Sequence, residues 1–126
     1  MNKERLETLK EILINRATLF PNIQFEICYW KKQNECGTVA CVLGLACMYP
    51  PFQKEGLRLN TNDEPEFNGK YTYKAGQEFF DITSYQAVEL FDPDRYPYEP
   101  ITQKMVDRVI VKIDQLLEHG RVLPDE

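Results

Sequence analysis

The chain has 126 residues, enough for one domain that buries a core without metal or disulfide help. Its net charge of −5, from 15 basic and 20 acidic residues, excludes a general nucleic-acid or anionic-membrane binder, which needs a basic field. Hydrophobic content of 43% and charged content of 28% are those of an ordinary soluble globular protein.

Met1 to Arg5 opens a charged amphipathic segment and not an apolar leader, and the longest apolar run, Val39 to Phe52, is too short to span a bilayer. A cytoplasmic protein with reduced thiols is therefore expected, made of one globular domain over residues 1–126. In chain order, Leu6, Leu9, Leu13, Ala17 and Phe20 fall on one face of a helix that Asn2 can cap and Pro21-Asn22 stops. Ile23, Phe25, Ile27 and Tyr29 alternate with Gln24, Glu26 and Cys28, the period of a half-buried strand. Trp30 and a polar link, Lys31 to Glu35, lead to the stretch around which the chain is organised.

That stretch, Glu35 to Tyr49, carries no charge and no proline between Val39 and Met48. A helix apolar on every side must be surrounded by protein, so the sequence predicts a buried central helix over about 38–49. Ala40, Gly44 and Cys47 would then lie on one stripe of small side chains, where a neighbouring helix can approach. Pro50-Pro51 opens a loop-like region in which Leu57-Arg58-Leu59 and Tyr71-Thr72-Tyr73 read as the two strands of a hairpin, with Asn68-Gly69 among its turn residues. Ala75 to Asp81 makes a short helix burying Phe79 and Phe80. Thr83-Ser84-Tyr85-Gln86 matches a capping box for a helix that carries Ala87, Leu90 and Phe91 inward and ends at Asp92-Pro93. After a proline- and tyrosine-rich connector, Thr102 caps the last helix, whose broad face holds Met105, Val106, Val109, Ile110, Ile113, Leu116 and Leu117, with Gly120 at its stop. The expected fold class is α+β, predominantly helical, with amphipathic helices around the central one and one small antiparallel β-hairpin.

The four cysteines, Cys28, Cys36, Cys41 and Cys47, show no Cys-x-x-Cys knuckle and no nearby histidine, and on a helix Cys41 and Cys47 are about 240° apart. They read as buried thiols, with no metal and no cofactor expected. Cys36-Gly37-Thr38 stands out because it precedes the predicted helix, where unpaired N–H groups and the dipole favour anions. A thiol so placed is activated as a nucleophile.

Two resemblances attach to these residues. Glu35-Cys36-Gly37 is similar to the Asp-Cys-Gly start of the catalytic helix in ubiquitin-like-protein-processing cysteine proteases, which implies Cys36 as nucleophile. Those enzymes place their histidine before the cysteine. Here the one histidine, His119, lies at the end of the last helix, so a Cys36–His119 dyad needs that end to meet the start of the central helix. The order Trp30, then Cys36-Gly37-Thr38-Val39-Ala40-Cys41, Gly44 and Ala46, then Gln86-Ala87 and Leu90-Phe91, resembles a small protein type of bacteriophages and bacteria. Its members carry Trp, Cys-Gly-Thr-x-x-Cys-x-x-Gly-x-Ala and a later Gln-Ala-x-x-Leu-Phe; Leu45 departs from it where an aromatic is frequent. That resemblance implies a phage or prophage accessory protein acting in the host cytoplasm, by host modulation or against host defence.

The leading expectation is a non-catalytic binding module. Trp30, Cys36, Gly37 and Thr38 would hold an anionic or nucleotide-like small molecule or dock a host protein. The competing expectation is a cysteine hydrolase or acyltransferase using Cys36 and His119. A third is an obligate homo-oligomer joined through the apolar surface of the last helix.

Overall fold

The computed structural model describes residues 1–25, 32–34, 37–97 and 102–123, with only the backbone of 24, 32–34 and 37–40. Helix α1 (Lys3–Ile14) starts as the sequence predicts: the Asn2 side chain accepts from Arg5 N at 3.0 Å, occupying one of the orphan donors of the first turn. Its buried face is Leu6, Leu9, Ile12 and Leu13. The helix breaks at Asn15, and a separate turn, α2 (Arg16–Leu19), continues to Phe20.

Strand β1 (Ile23–Phe25) joins β2 (Lys32–Asn34) and β3 (Gly37–Ala40) in a three-stranded sheet of order β1-β3-β2. β3 lies in the middle, parallel to β1 with Thr38 opposite Ile23, and antiparallel to β2 with Gly37 opposite Asn34. The expected continuation of β1 through Ile27 and Tyr29 falls outside the described residues.

The central helix is shorter than the sequence predicts. Residues 37–40 are strand, Cys41 is extended at the N-cap, and α3 runs Val42–Cys47. An unpunctuated apolar run does not distinguish a buried strand from a buried helix, and the β-branched pair Thr38-Val39 fits the strand better. Ala40 therefore shares no helical stripe with Gly44 and Cys47. The remaining premise holds, because all six residues of α3 are buried.

Pro50-Pro51 opens a helix as well: α4 (Pro50–Lys54) has proline in its first turn, where a missing N–H costs nothing. The following sheet is a meander and not a single hairpin. β4 (Arg58–Leu59) and β6 (Lys70–Tyr71) do not pair with each other; each pairs with β5 (Pro65–Phe67), which comes from the expected loop. The β5–β6 turn is Asn68-Gly69, both at positive φ (53° and 78°), the two-residue geometry that suits the strand twist.

α5 (Tyr73–Phe80) and α6 (Ser84–Phe91) pack against each other, joined through Asp81, which takes the left-handed conformation at the α5 C-cap. The capping box is complete: Thr83 Oγ1 accepts from Gln86 N at 3.1 Å, and Gln86 Oε1 accepts from Thr83 N at 2.9 Å. A 3₁₀ turn (Pro93–Arg95) follows, and α7 (Thr102–His119) closes the described fold. The protein is α+β and predominantly helical.

α7 runs antiparallel to α1, with Lys10 Nζ donating to Asp114 at 2.7 Å and Arg16 Nη2 to Gln103 at 2.9 Å. Its apolar positions Met105, Val106, Val109, Ile113 and Leu116 are buried within the chain. Of the seven apolar positions of the face expected to join an oligomer, these five are covered within the chain, and Ile110 and Leu117 are half-buried. The core holds an edge-to-face aromatic cluster, Phe79 lying 4.8 Å from Phe52, 5.0 Å from Phe67 and 5.1 Å from Phe80. Over its outer side lies the Arg5 guanidinium, 4.0 Å from the Phe79 centroid, which also donates to Phe79 O and Glu55.

Gly76 of α5 marks a close approach: a Cβ there would lie 2.8 Å from the Phe91 ring and 3.2 Å from Leu43. The Gly76→Ala variant should lose about 1–2 kcal/mol, overpacking outweighing the gain of helix propensity. Thr83→Ala should lose about 1 kcal/mol with the cap. Both should lower the urea midpoint in equilibrium unfolding without changing the slope.

Candidate functional site

Of the residues expected to form a site, Trp30 and Cys36 lie outside the described residues. Gly37 and Thr38 do not stand at a helix start. They belong to a central strand with a partner on each side, so their backbone lies within the ladder. The helix start itself falls at Cys41-Val42, buried in the core. His119 ends α7 and is half-exposed, with Glu118 Oε2 3.7 Å from its Nε2. It sits about 24 Å along the helix axis from Gln103, the residue that meets Arg16 at the C-terminal end of α1. β1, which carries β3 beside it, follows from that same end of α1. The element order therefore directs His119 and the Gly37 end of β3 toward opposite ends of the α1–α7 pair.

The described cysteines behave as small hydrophobes. Cys41 is 2% and Cys47 1% exposed, and burial pushes the Cys47 thiol well above its usual range, with the neighbouring Cys41 adding to the effect. Among the described residues, no cluster of three His, Cys, Asp or Glu side chains converges to hold a metal ion, and no helix is long and apolar enough to cross a membrane.

A built concavity lies elsewhere, between the 3₁₀ turn and α7. Asp92 starts it: its Oδ1 accepts from Asp94 N at 2.9 Å and fixes the turn that ends at Tyr96. Tyr96 is buried, and its hydroxyl donates to Leu90 O at 2.6 Å, so the ring is tied to the end of α6. Desolvation, reinforced by the Glu89 charge, pushes that phenol far above its ordinary value. Lys112 of α7 reaches across to donate to Glu89 O at 2.7 Å and Arg95 O at 2.8 Å, and its ammonium sits 3.8 Å from the Tyr96 centroid. This lysine bolts α7 to α6 and the turn. At the far end, Gln115 Oε1 accepts from Leu123 N at 3.1 Å and folds the chain back along α7 after Gly120.

The result is a groove of about 210 Å³, half-open to solvent. Tyr96, Pro97, Val111, Val122 and Leu123 give it apolar walls; Arg95, Asp107, Arg108, Lys112 and Gln115 give it polar ones. The four α7 residues Arg108, Val111, Lys112 and Gln115 are spaced i, i+3, i+4, i+7 and so share one face. Glu89 lies 3.5 Å from Arg95 and 3.9 Å from Lys112. Among the described residues, three cations against the two carboxylates Asp107 and Glu89 leave one positive charge in excess. It centres on Arg108, which is exposed and makes no ion pair or hydrogen bond among the described residues. Val111 is 52% exposed, a large apolar side chain off the buried face of α7.

In the sequence Arg95 and Tyr96 fall in the proline- and tyrosine-rich connector, and nothing there brings them to α7. The legible signal is Val111: an apolar residue out of register with the buried face, flanked on its own stripe by a cation and an amide. A broader, shallower depression beside the meander is lined by Arg58, Leu59, Asn60, Thr61 and Glu66, and there Arg58 already faces Glu66 at 3.8 Å. No protein-family model, no curated protein and no solved structure matches the chain.

Burial makes a direct prediction for the thiols. In the native protein, iodoacetamide should leave Cys41 and Cys47 unmodified over hours, while the same reagent in denaturant labels both within minutes, read by peptide mass spectrometry. Fast native labelling of Cys47 would contradict the packing described for α3.

Proposed function

We propose that the chain is a non-catalytic binding module whose ligand carries a single negative charge and an apolar body, and that the groove between the 3₁₀ turn and α7 receives it. The observation that carries this reading is the juxtaposition of Arg108, without an ionic partner among the described residues, and Val111, half-exposed on the same helical face. An apolar wall with a few convergent polar groups is the general form of a ligand site. The guanidinium offers a planar fork suited to a carboxylate or phosphate, and the Gln115 amide group stands one turn beyond Val111. Asp107, which accepts from Gln103 at 2.8 Å, keeps a negative charge at the rim and works against dianions. The reading moves the anion away from Trp30, Cys36, Gly37 and Thr38, because the helix start that favoured those residues is not there.

A phage or prophage accessory role, modulating the host or blocking its defence from within the cytoplasm, belongs to the same proposal. It is supported by the likeness of the Cys36-Gly37-Thr38 and Gln86-Ala87 motifs to that protein type, and fold-level features add nothing to it. A host protein and an anionic small molecule both satisfy the charge and shape of the groove.

Amide NMR titration with 3-phenylpropionate, orthophosphate and adenosine monophosphate tests the reading. Phenylpropionate should shift the amides of Tyr96, Arg108, Val111 and Gln115, the two phosphates should shift them far less, and Arg108→Glu should remove the response at least tenfold. No shift with any monoanion, or shifts confined to β3, would overturn the assignment of the groove.

A further inference from the structure

The dimensions of the groove narrow the ligand class. Pockets that enclose a small molecule span roughly 300–1,000 Å³ and bury most of its surface. This one offers about 210 Å³ and stands half-open, room for one apolar side chain and not for an enclosed cofactor or nucleotide. An engineered cavity of about 150 Å³ accepts benzene, which sets the scale at one ring. Open troughs of this size serve as sockets for a single anchor residue of a protein partner, with polar contacts around the rim.

The rim chemistry says which kind of partner. Lys112 is spent inside the protein on Glu89 O, Arg95 O and the Tyr96 ring, so it lends field but no free donor toward solvent. Arg95 keeps 48% of its side chain exposed beside Glu89, and Arg108 is the cation that reaches outward. Among the described residues the surplus charge at the groove is positive, whereas the chain as a whole carries −5, so an acidic partner is attracted at this spot and repelled by the net charge of the chain. Such a site selects a segment with one well-placed carboxylate and penalises a highly acidic one.

We infer that the groove docks an extended segment of a partner protein, which inserts one aromatic or large aliphatic side chain between Tyr96 and Val111 and lays a neighbouring carboxylate on Arg108. This rests on the groove reading above and names its occupant. The Tyr96 ring is immobilised by its hydrogen bond to Leu90 O and by Lys112 above it, so the socket exists before the partner arrives and little ordering cost falls on binding. The carboxylate contact is exposed and therefore salt-sensitive.

The test uses the full chain and an acetylated, amidated nonapeptide of glycine and serine carrying one phenylalanine with one glutamate two residues on. Titrated into the labelled protein, it should shift the amides of Tyr96, Arg108 and Val111 saturably. Exchanging the phenylalanine for serine, or the glutamate for lysine, should weaken binding at least tenfold. Arg108→Glu should weaken the glutamate peptide at least tenfold and strengthen the lysine peptide, a charge swap that a merely unfolded variant cannot produce. Equal binding of the two peptides, or an unchanged preference in Arg108→Glu, overturns the proposal. Tighter binding of free 3-phenylpropionate than of the peptide at the same amides also overturns it and leaves the groove reading standing. Silence at those amides with peptide and phenylpropionate alike removes both.

Discussion

The fold depends on six residues that have no solvent face. Val42 to Cys47 are all buried, and a short helix with no polar stripe has to be covered from every direction at once. α1 packs on it from one side and β4 and β5 from another, β3 leads directly into it, and α4 leaves from its end. Leu43 then reaches α5 at Gly76, where the absence of a side chain lets the Phe91 ring in as well. Six residues cannot hold a helix by local bonding, since nucleation is costly and few bonds follow it. The surrounding layers create the helix as much as they are organised by it.

α7 belongs to the outer layer and is fixed at both of its edges. Along one it is tied to α1 by Lys10–Asp114 and Arg16–Gln103; along the other Lys112 ties it to α6 and the 3₁₀ turn. An 18-residue helix held this way buries one broad stripe and leaves the opposite one to water. Between those stripes lies a third, on which Arg108 and Val111 are exposed and Lys112 and Gln115 are half-buried. The groove forms where the Lys112 bridge spans the gap between α7 and the turn without filling it.

What was legible in the sequence follows the range of the interaction behind each feature. Local chemistry read correctly: Asn2 as a cap, the Thr83–Gln86 box, Asn68-Gly69 as a turn, Phe79 and Phe80 as core, and the buried stripe of α7. The errors come where two structures share one pattern. The run from Val39 to Cys47 is apolar whether it is strand, helix or strand followed by helix, and pairing with β1 and with the polar strand β2 decides. β2 itself, Lys32-Gln33-Asn34, has no apolar residue to betray it. Pro50-Pro51 has the composition of a loop, but proline also begins helices. The groove was beyond reach because Tyr96 and Arg108 come to line one concavity through tertiary packing; Val111, off the buried face of α7, is the described lining residue that carries a mark in the sequence.

Fold and recognition share residues in this groove, and that decides where they can be told apart. Lys112 supports Tyr96 and anchors α7, and Tyr96 satisfies Leu90 O from a buried position, so removing either strips a hydrogen bond or a charge partner from the interior. Loss of binding after such a change would report stability as readily as contact. Arg108 and Val111 are exposed, and neither has a partner among the described residues whose loss would leave a buried group unsatisfied. A guanidinium with no partner among the described residues, on the same helical face as an exposed valine, contributes little to folding, and for that reason a change at either position reports on the proposed contact more than on stability.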